Sequence, residues 1–246
     1  MATWVIGDIH GCAEELSTLI EKLHPGPDDR LVSVGDLFHR GPDPLGTIEL
    51  LERHRVRFVL GNHEHVVLQR LGLAPERVDA ADRPPRAPLP SALDEEALLG
   101  DGDQPCEVEP AARATVVDFL QRHSGFFLRR RSIEGAGPTR DGREWTCVHA
   151  GVLAGLELER HTIDELTSLR RLDEPSRPWW YELYDGPDLV LFGHTPSELP
   201  RRRMARGRLV ALGLDTGCVY GGRLTAYSPE LDEFASVQAV RAWART

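Results

Sequence analysis

The chain has 246 residues, enough for one sizeable α/β domain with its own core. Hydrophobic residues make up 41% and charged residues 28%, the balance of an ordinary soluble globular protein. A formal net charge of −10 argues against a nucleic-acid-binding face, which relies on clustered Lys and Arg. The one basic run, Arg201-Arg202-Arg203 with Arg206 and Arg208, reads as a solvated loop and strand edge. Cys12, Cys106, Cys147 and Cys218 show no paired spacing, and the chain opens on a strand-like run without a basic or apolar leader. No apolar stretch is long enough to span a bilayer. A reducing, cytoplasmic setting away from membranes is therefore expected, with the cysteines as buried or idle thiols.

The first third alternates strand and helix. Trp4 to Ile6 reads as a buried strand, and Glu14 to Leu23 as a helix with Leu16, Leu19, Ile20 and Leu23 on one face. Leu31 to Val34 is the next strand, followed by a helix over Leu45 to Leu51 begun after Pro44. Val56 to Leu60 is a third strand and Val66 to Leu71 a third helix. That alternation predicts a parallel sheet covered by helices. Ala74 to Pro110 breaks the rhythm with Pro and acidic residues. It is too long for an ordinary connection, so it reads as a cap beside the active site or a mobile insertion. Regular structure resumes with a helix over Ala111 to Arg122. Strands are then predicted at Phe126 to Arg131, Trp145 to Val148, Leu189 to Phe192, Leu209 to Leu214 and Leu224 to Tyr227. With no internal repeat and no second domain in view, residues 1–246 read as one domain.

Five short motifs punctuate this pattern: Gly7-Asp8-Ile9-His10-Gly11, Gly35-Asp36, Gly61-Asn62-His63-Glu64, His149-Ala150-Gly151 and Gly193-His194. Each falls at or just after a predicted strand end, the rim where open α/β sheets place ligands. Singly each has a bland reading: a satisfied turn pair for Asp8 and His10, a helix cap for Asp36 or Asn62. The ordered set is harder to obtain without function. Carboxylate, amide and imidazole donors with no thiolate among them suit a pair of borderline or hard dications, the usual device for activating water against phosphorus.

With these motifs the chain closely resembles the phosphoprotein phosphatase family of binuclear, calcineurin-like metallophosphoesterases, from Gly7 to about Tyr227. The resemblance implies a metallo-dependent phosphatase fold: an α/β architecture with a central β-sandwich of mixed sheets flanked by helices, here carrying the Pro/acid-rich insertion. It implies that Asp8, His10 and Asp36 bind one metal, and that Asp36 bridges to a second completed by Asn62, His149 and His194. It further implies in-line attack by a metal-bridging hydroxide, His63 as the general acid and Arg40 as the phosphate clamp. A second arginine is expected between the last two histidine motifs, with Arg170 preferred over Arg171. Manganese is the expected ion, with iron, zinc, nickel and cobalt as alternatives.

One departure stands out. Where the family pattern reads Gly-Asp-x-x-Asp-Arg-Gly, this chain reads Gly35-Asp36-Leu37-Phe38-His39-Arg40-Gly41. His39 takes the place of a carboxylate that supports the catalytic histidine, unless Asp43 or Glu64 substitutes for it. A weaker general acid favours good leaving groups, which tilts the expectation toward phosphoanhydrides. The run Gly213 to Thr225 resembles the bacterial branch, which includes symmetrical diadenosine tetraphosphate hydrolases and small Ser/Thr/Tyr phosphatases. The expected substrate is thus a phosphorylated small molecule of that kind or a phosphoprotein. The alternatives are an impaired phosphate-binding protein and a phosphodiesterase of nucleic-acid or cyclic phosphate ends. Asp215 reads as a support for a metal-binding histidine or as a turn residue. Trp179, Trp180, Tyr181 and Tyr184 read as core and rim rather than a base-stacking platform.

Overall fold

In the computed structural model, residues 1–70, 72–75, 78, 110–122 and 125–245 are described. Among them, ten strands form two mixed five-stranded sheets. The first runs β10 (Glu233–Gln238), β9 (Arg223–Ser228), β1 (Thr3–Ile6), β2 (Arg30–Ser33), β3 (Arg57–Phe58). The three early strands are parallel and β9 pairs antiparallel with both its neighbours. The second runs β4 (Phe127–Arg129), β5 (Trp145–Val148), β6 (Leu189–Phe192), β8 (Arg208–Gly213), β7 (Arg201–Ala205). There β5, β6 and β8 are parallel, with antiparallel strands at both edges.

Successive side chains of a strand point to opposite faces, and here that splits the core in two. Val5 and Val32 from the first sheet, with Val59 just after β3, meet Leu128, Cys147, Leu189, Leu191 and Leu212 from the second. Their neighbours Trp4, Ile6, Val148, Val190 and Phe192 turn outward into a core shared with the helices. Near-continuous apolar strands such as Leu189–Phe192, buried on both faces, are what a helix-covered parallel sheet requires. The expected fold, mixed sheets flanked by helices, is the one observed.

Helix α1 (Ala13–Leu23) buries Leu16, Leu19 and Ile20. Helix α2 (Pro44–Arg53) starts with Pro44 in its first turn, and the Asp43 side chain accepts from the Gly46 amide at the cap. Helices α3 (Asn62–Arg70) and α4 (Pro110–Arg122) follow, then the short α5 (Ile163–Ser168) and α6 (Trp180–Leu183). The expected third helix, placed at Val66 to Leu71, begins four residues earlier. The expected strand Val56 to Leu60 pairs only over β3, and Phe126 to Arg131 pairs only over β4 before a 3-10 turn at Arg130–Ser132. The basic run is edge strand β7, its side chains alternating between half-buried and exposed. Apart from Ala74, Pro75, Val78 and Pro110, the expected 74–110 insertion lies outside the described residues.

Candidate active site

Asp8 and His10 follow β1, Asp36 follows β2, His149 follows β5, and His194 follows β6. Asn62 and His63 open α3 just after β3. All five strand-end segments converge. Asp36 is central: its Oδ2 lies 3.6 Å from His10 Nε2 and 3.9 Å from His63 Nε2, and its Oδ1 lies 3.4 Å from His149 Nε2. Asn62 Oδ1 contacts His149 Nε2 at 3.1 Å and His194 Nδ1 at 2.9 Å. The His194 amide donates to both oxygens of Asp8, at 3.0 and 3.3 Å.

The backbone is bent to achieve this. His10, Asp36, Arg40 and His194 adopt left-handed φ of 52°, 51°, 80° and 65°. Such a conformation in a non-glycine residue costs about 1–3 kcal/mol and persists only where packing enforces it. Two flanking glycines have a separate task. A Cβ at Gly193 would overlap Asp8 Oδ1, and one at Gly61 would overlap Asp36 Oδ1. Neither carboxylate could reach its place against a larger residue.

Glu64 is fully buried and accepts from three amides: Asp36 at 3.0 Å, Leu37 at 2.8 Å and Gly61 at 2.9 Å. It braces the Asp36 turn. Asp43 is engaged as the α2 cap. Neither therefore replaces the missing carboxylate beside His63. That position belongs to His39, 6% exposed, its ring centroid 5.0 Å from that of His63. Arg40 Nη1 donates to the Tyr220 hydroxyl, a partner that sequence reasoning missed. Arg170 Nη2 donates to the His194 carbonyl at 3.1 Å, whereas Arg171 turns to the Arg177 carbonyl and the face of Trp179. Asp215, buried, accepts from Gly217 in its own turn at 3.0 Å. Trp180, Tyr181 and Tyr184 pack with Phe192 in the core.

The electrostatics are those of a cavity built for cations. Burial, with Asp215 and Asp36 nearby, pushes the Asp8 carboxyl well above the usual range. Burial also pushes Asp215 up to about 6 and Glu64 up to about 7. Burial pulls His10 and His194 down to about 3, leaving neutral imidazoles suited to ligation. His149 alone goes the other way: Asp36 and Asp8 outweigh its burial and hold it protonated up to about 10. Without a metal, that proton supplies the positive charge the carboxylates demand. His10 Nδ1 is buried without a hydrogen-bond partner among the described residues. Two donor groups satisfy metal-ligand proximity here, His10–Asp36–His63 and Asp36–His149–His194, sharing Asp36. The residues present therefore fit divalent ions.

A model of the calcineurin-like phosphoesterase family matches residues 1–227. The chain belongs to that family. It is a metallophosphoesterase, a hydrolase whose family works with divalent metal ions. A symmetrical bis(5'-nucleosyl)-tetraphosphatase of Chromohalobacter salexigens is 31% identical, over 92% of this chain and 94% of the relative. An asymmetrical bis(5'-nucleosyl)-tetraphosphatase of a Geobacillus species is 32% identical, over 93% and 91%. Serine/threonine-protein phosphatase 1 of Salmonella typhimurium is 33% identical, over 90% and 89%. Among solved structures, one provisionally named a diadenosine tetraphosphatase superposes with a TM-score of 0.67 at 27% identity, covering 96% of this chain and 93% of that one. Among the described residues of this metallophosphoesterase, no helix is long and apolar enough to cross a membrane.

Proposed function

We propose that the chain hydrolyses phosphoanhydrides of the dinucleoside tetraphosphate class. Asp8, His10, Asp36, Asn62, His149 and His194 would hold two divalent ions, manganese first among the alternatives. Ions bound there would polarise phosphoryl oxygens and lower the pKa of a coordinated water. Arg40 binds the phosphate through its planar guanidinium, steadied by Tyr220. Arg170, anchored on the His194 carbonyl, offers a second cation at the rim. His63 donates its proton to the leaving oxygen.

The observation that carries the choice of substrate is the imidazole of His39 packed where a carboxylate would support His63. Burial and the His63 ring pull His39 down to about 3, so it is neutral and adds no negative charge. Burial likewise lowers His63, with Asp36 opposing and Arg40 reinforcing the shift. A general acid that readily loses its proton serves best when the leaving group needs little help, as a nucleotide phosphate does. The two tetraphosphatase relatives point to the same class. A soluble, cytoplasmic setting belongs to this reading.

The test is chromatographic product analysis of diadenosine tetraphosphate with manganese-loaded protein. The expected result is catalytic release of ADP, or of ATP with AMP if the outer anhydride is attacked, with neither from His63→Ala. An untouched tetraphosphate beside rapid hydrolysis of a phosphoserine peptide would overturn this reading in favour of protein phosphatase activity, the activity named for the Salmonella relative.

A further inference from the structure

Behind the His10 turn lies a cluster that the reaction above does not use. Cys12 immediately precedes α1, and Glu15 follows one helical turn later on the same face. Cys218 arrives from the loop between β8 and β9, three residues after Asp215. Cys12 is 0% exposed, and Glu15 and Cys218 are 2% exposed. The two sulfurs and a Glu15 carboxylate oxygen all lie within 4.8 Å of one another.

Glu15 is the unusual member. Its Oε1 accepts from the Val240 amide at 3.0 Å and the Trp243 indole at 3.4 Å. Its Oε2 is buried with no hydrogen-bond partner among the described residues. A buried carboxylate left half-satisfied is costly unless a cation completes it. Donors within 4.8 Å of one another need only a small side-chain adjustment to reach the separation of roughly 3–4 Å around a tetrahedral ion with bonds near 2.0–2.3 Å.

We propose that Cys12, Glu15 and Cys218 form a separate metal site for a zinc-class ion, bound through two thiolates and one carboxylate. On binding, both thiol protons pass to solvent and both sulfurs become ligands. Three protein donors leave a fourth position for water. The soft sulfur donors set this site apart from the nitrogen and oxygen donors around Asp36, so the two select different ions. A bound ion here would join three segments: the His10 turn, the loop carrying Asp215, and the carboxy-terminal stretch that Glu15 already holds.

Cobalt(II) reads the site directly, because thiolate-to-cobalt charge transfer gives near-ultraviolet absorption that imidazole and carboxylate ligands do not. The fully reduced, metal-free protein would be titrated with cobalt(II) alone. The charge-transfer band is expected to saturate at the intensity of about one thiolate-bound cobalt per chain, whatever cobalt the other site takes up, and to vanish when excess zinc is added. Asp36→Asn should keep the band, and Cys12→Ser/Cys218→Ser should lose it while retaining visible cobalt absorption from the other site. Because the wild-type titration needs no variant, absence of the band in reduced protein at saturating cobalt overturns the proposal by itself. A band that survives in the double serine variant overturns it equally.

Discussion

His39 and His63 pack ring against ring, and the carboxylate that faces His63 among the described residues is that of Asp36, with its Oδ2 3.9 Å from Nε2. The consequence is set by charge. A carboxylate within about 4–6 Å of an imidazole raises its pKa by about 1–3 units. His39→Asp is therefore expected to move the alkaline limb of the kcat profile upward by at least about one pH unit. The gain should be larger for an alkyl phosphate, whose leaving oxygen needs its proton, than for an anhydride. Measuring pH–rate profiles of the variant with both substrates checks this, and an unmoved alkaline limb would show that His63 is not the acid. Tyr220 belongs to the same scale. Its hydroxyl receives the Arg40 guanidinium across 180 residues of chain, so nothing local in the sequence could have announced it.

At the scale of elements, the site depends on how α3 is fastened to the turn after β2. The carboxylate of Glu64, in the first turn of α3, gathers the amides of Asp36, Leu37 and Gly61, holding Asp36 in its left-handed conformation. Glu64→Gln keeps the shape but turns an NH2 group toward one of those amides. A buried donor facing a donor costs about 1–3 kcal/mol. For a chain of this size that corresponds to a fall in Tm of roughly 2–12 °C, readable by calorimetry. A Tm unchanged by the substitution would remove Glu64 as the brace. The elements that fasten the site were also the legible ones. Glycine-flanked polar residues after apolar runs mark strand ends, and the parallel strands β1, β2, β5 and β6 delivered their motifs to one rim. Less was legible at the periphery. β7 hides behind three consecutive arginines because an edge strand tolerates charge on alternate positions, and β10, the edge of the other sheet, has half of its residues exposed for the same reason. α5 and α6 span 6 and 4 residues, too short for a helical period to register. The brace itself was misjudged, since a Glu three residues past Gly61 gives no hint which amides it will meet.

For the whole molecule, the central pocket couples stability to metal and to pH. If an ion stands at about 1,000 times its dissociation constant, binding adds about 4 kcal/mol, so chelation should lower Tm by roughly 8–16 °C. In the metal-free chain the proton on His149 takes over part of the cation's role, and Asp36 and Asp8 raise that group to about 10. A raised folded-state value means stability that is fully present below the unfolded value near 6.5 and lost as pH climbs through about 10. His10, His39 and His194, held near 3 by burial, contribute the opposite slope, but only below about 6.5. Glu64, raised to about 7, and Asp8, raised well above the usual range, also weaken the metal-free fold as pH rises. Each keeps its proton longer folded than unfolded, and so adds to the His149 slope in the same direction. Between pH 7 and 9.5 His149 is the pocket group whose loss of charge weakens the metal-free fold. A metal-loaded pocket has no such dependence, because there His149 is a neutral ligand throughout. Buried thiols and phenols away from the pocket, such as Cys147 and Tyr184, titrate alike in both forms and cancel in the comparison. The difference in Tm between manganese-loaded and chelated protein is accordingly expected to widen from pH 7 to pH 9.5. Paired calorimetric scans at the two pH values measure it. An equal difference at both would mean that the His149–Asp36 pair does not stand in for the ion, and that the pocket balances its carboxylates by some other charge.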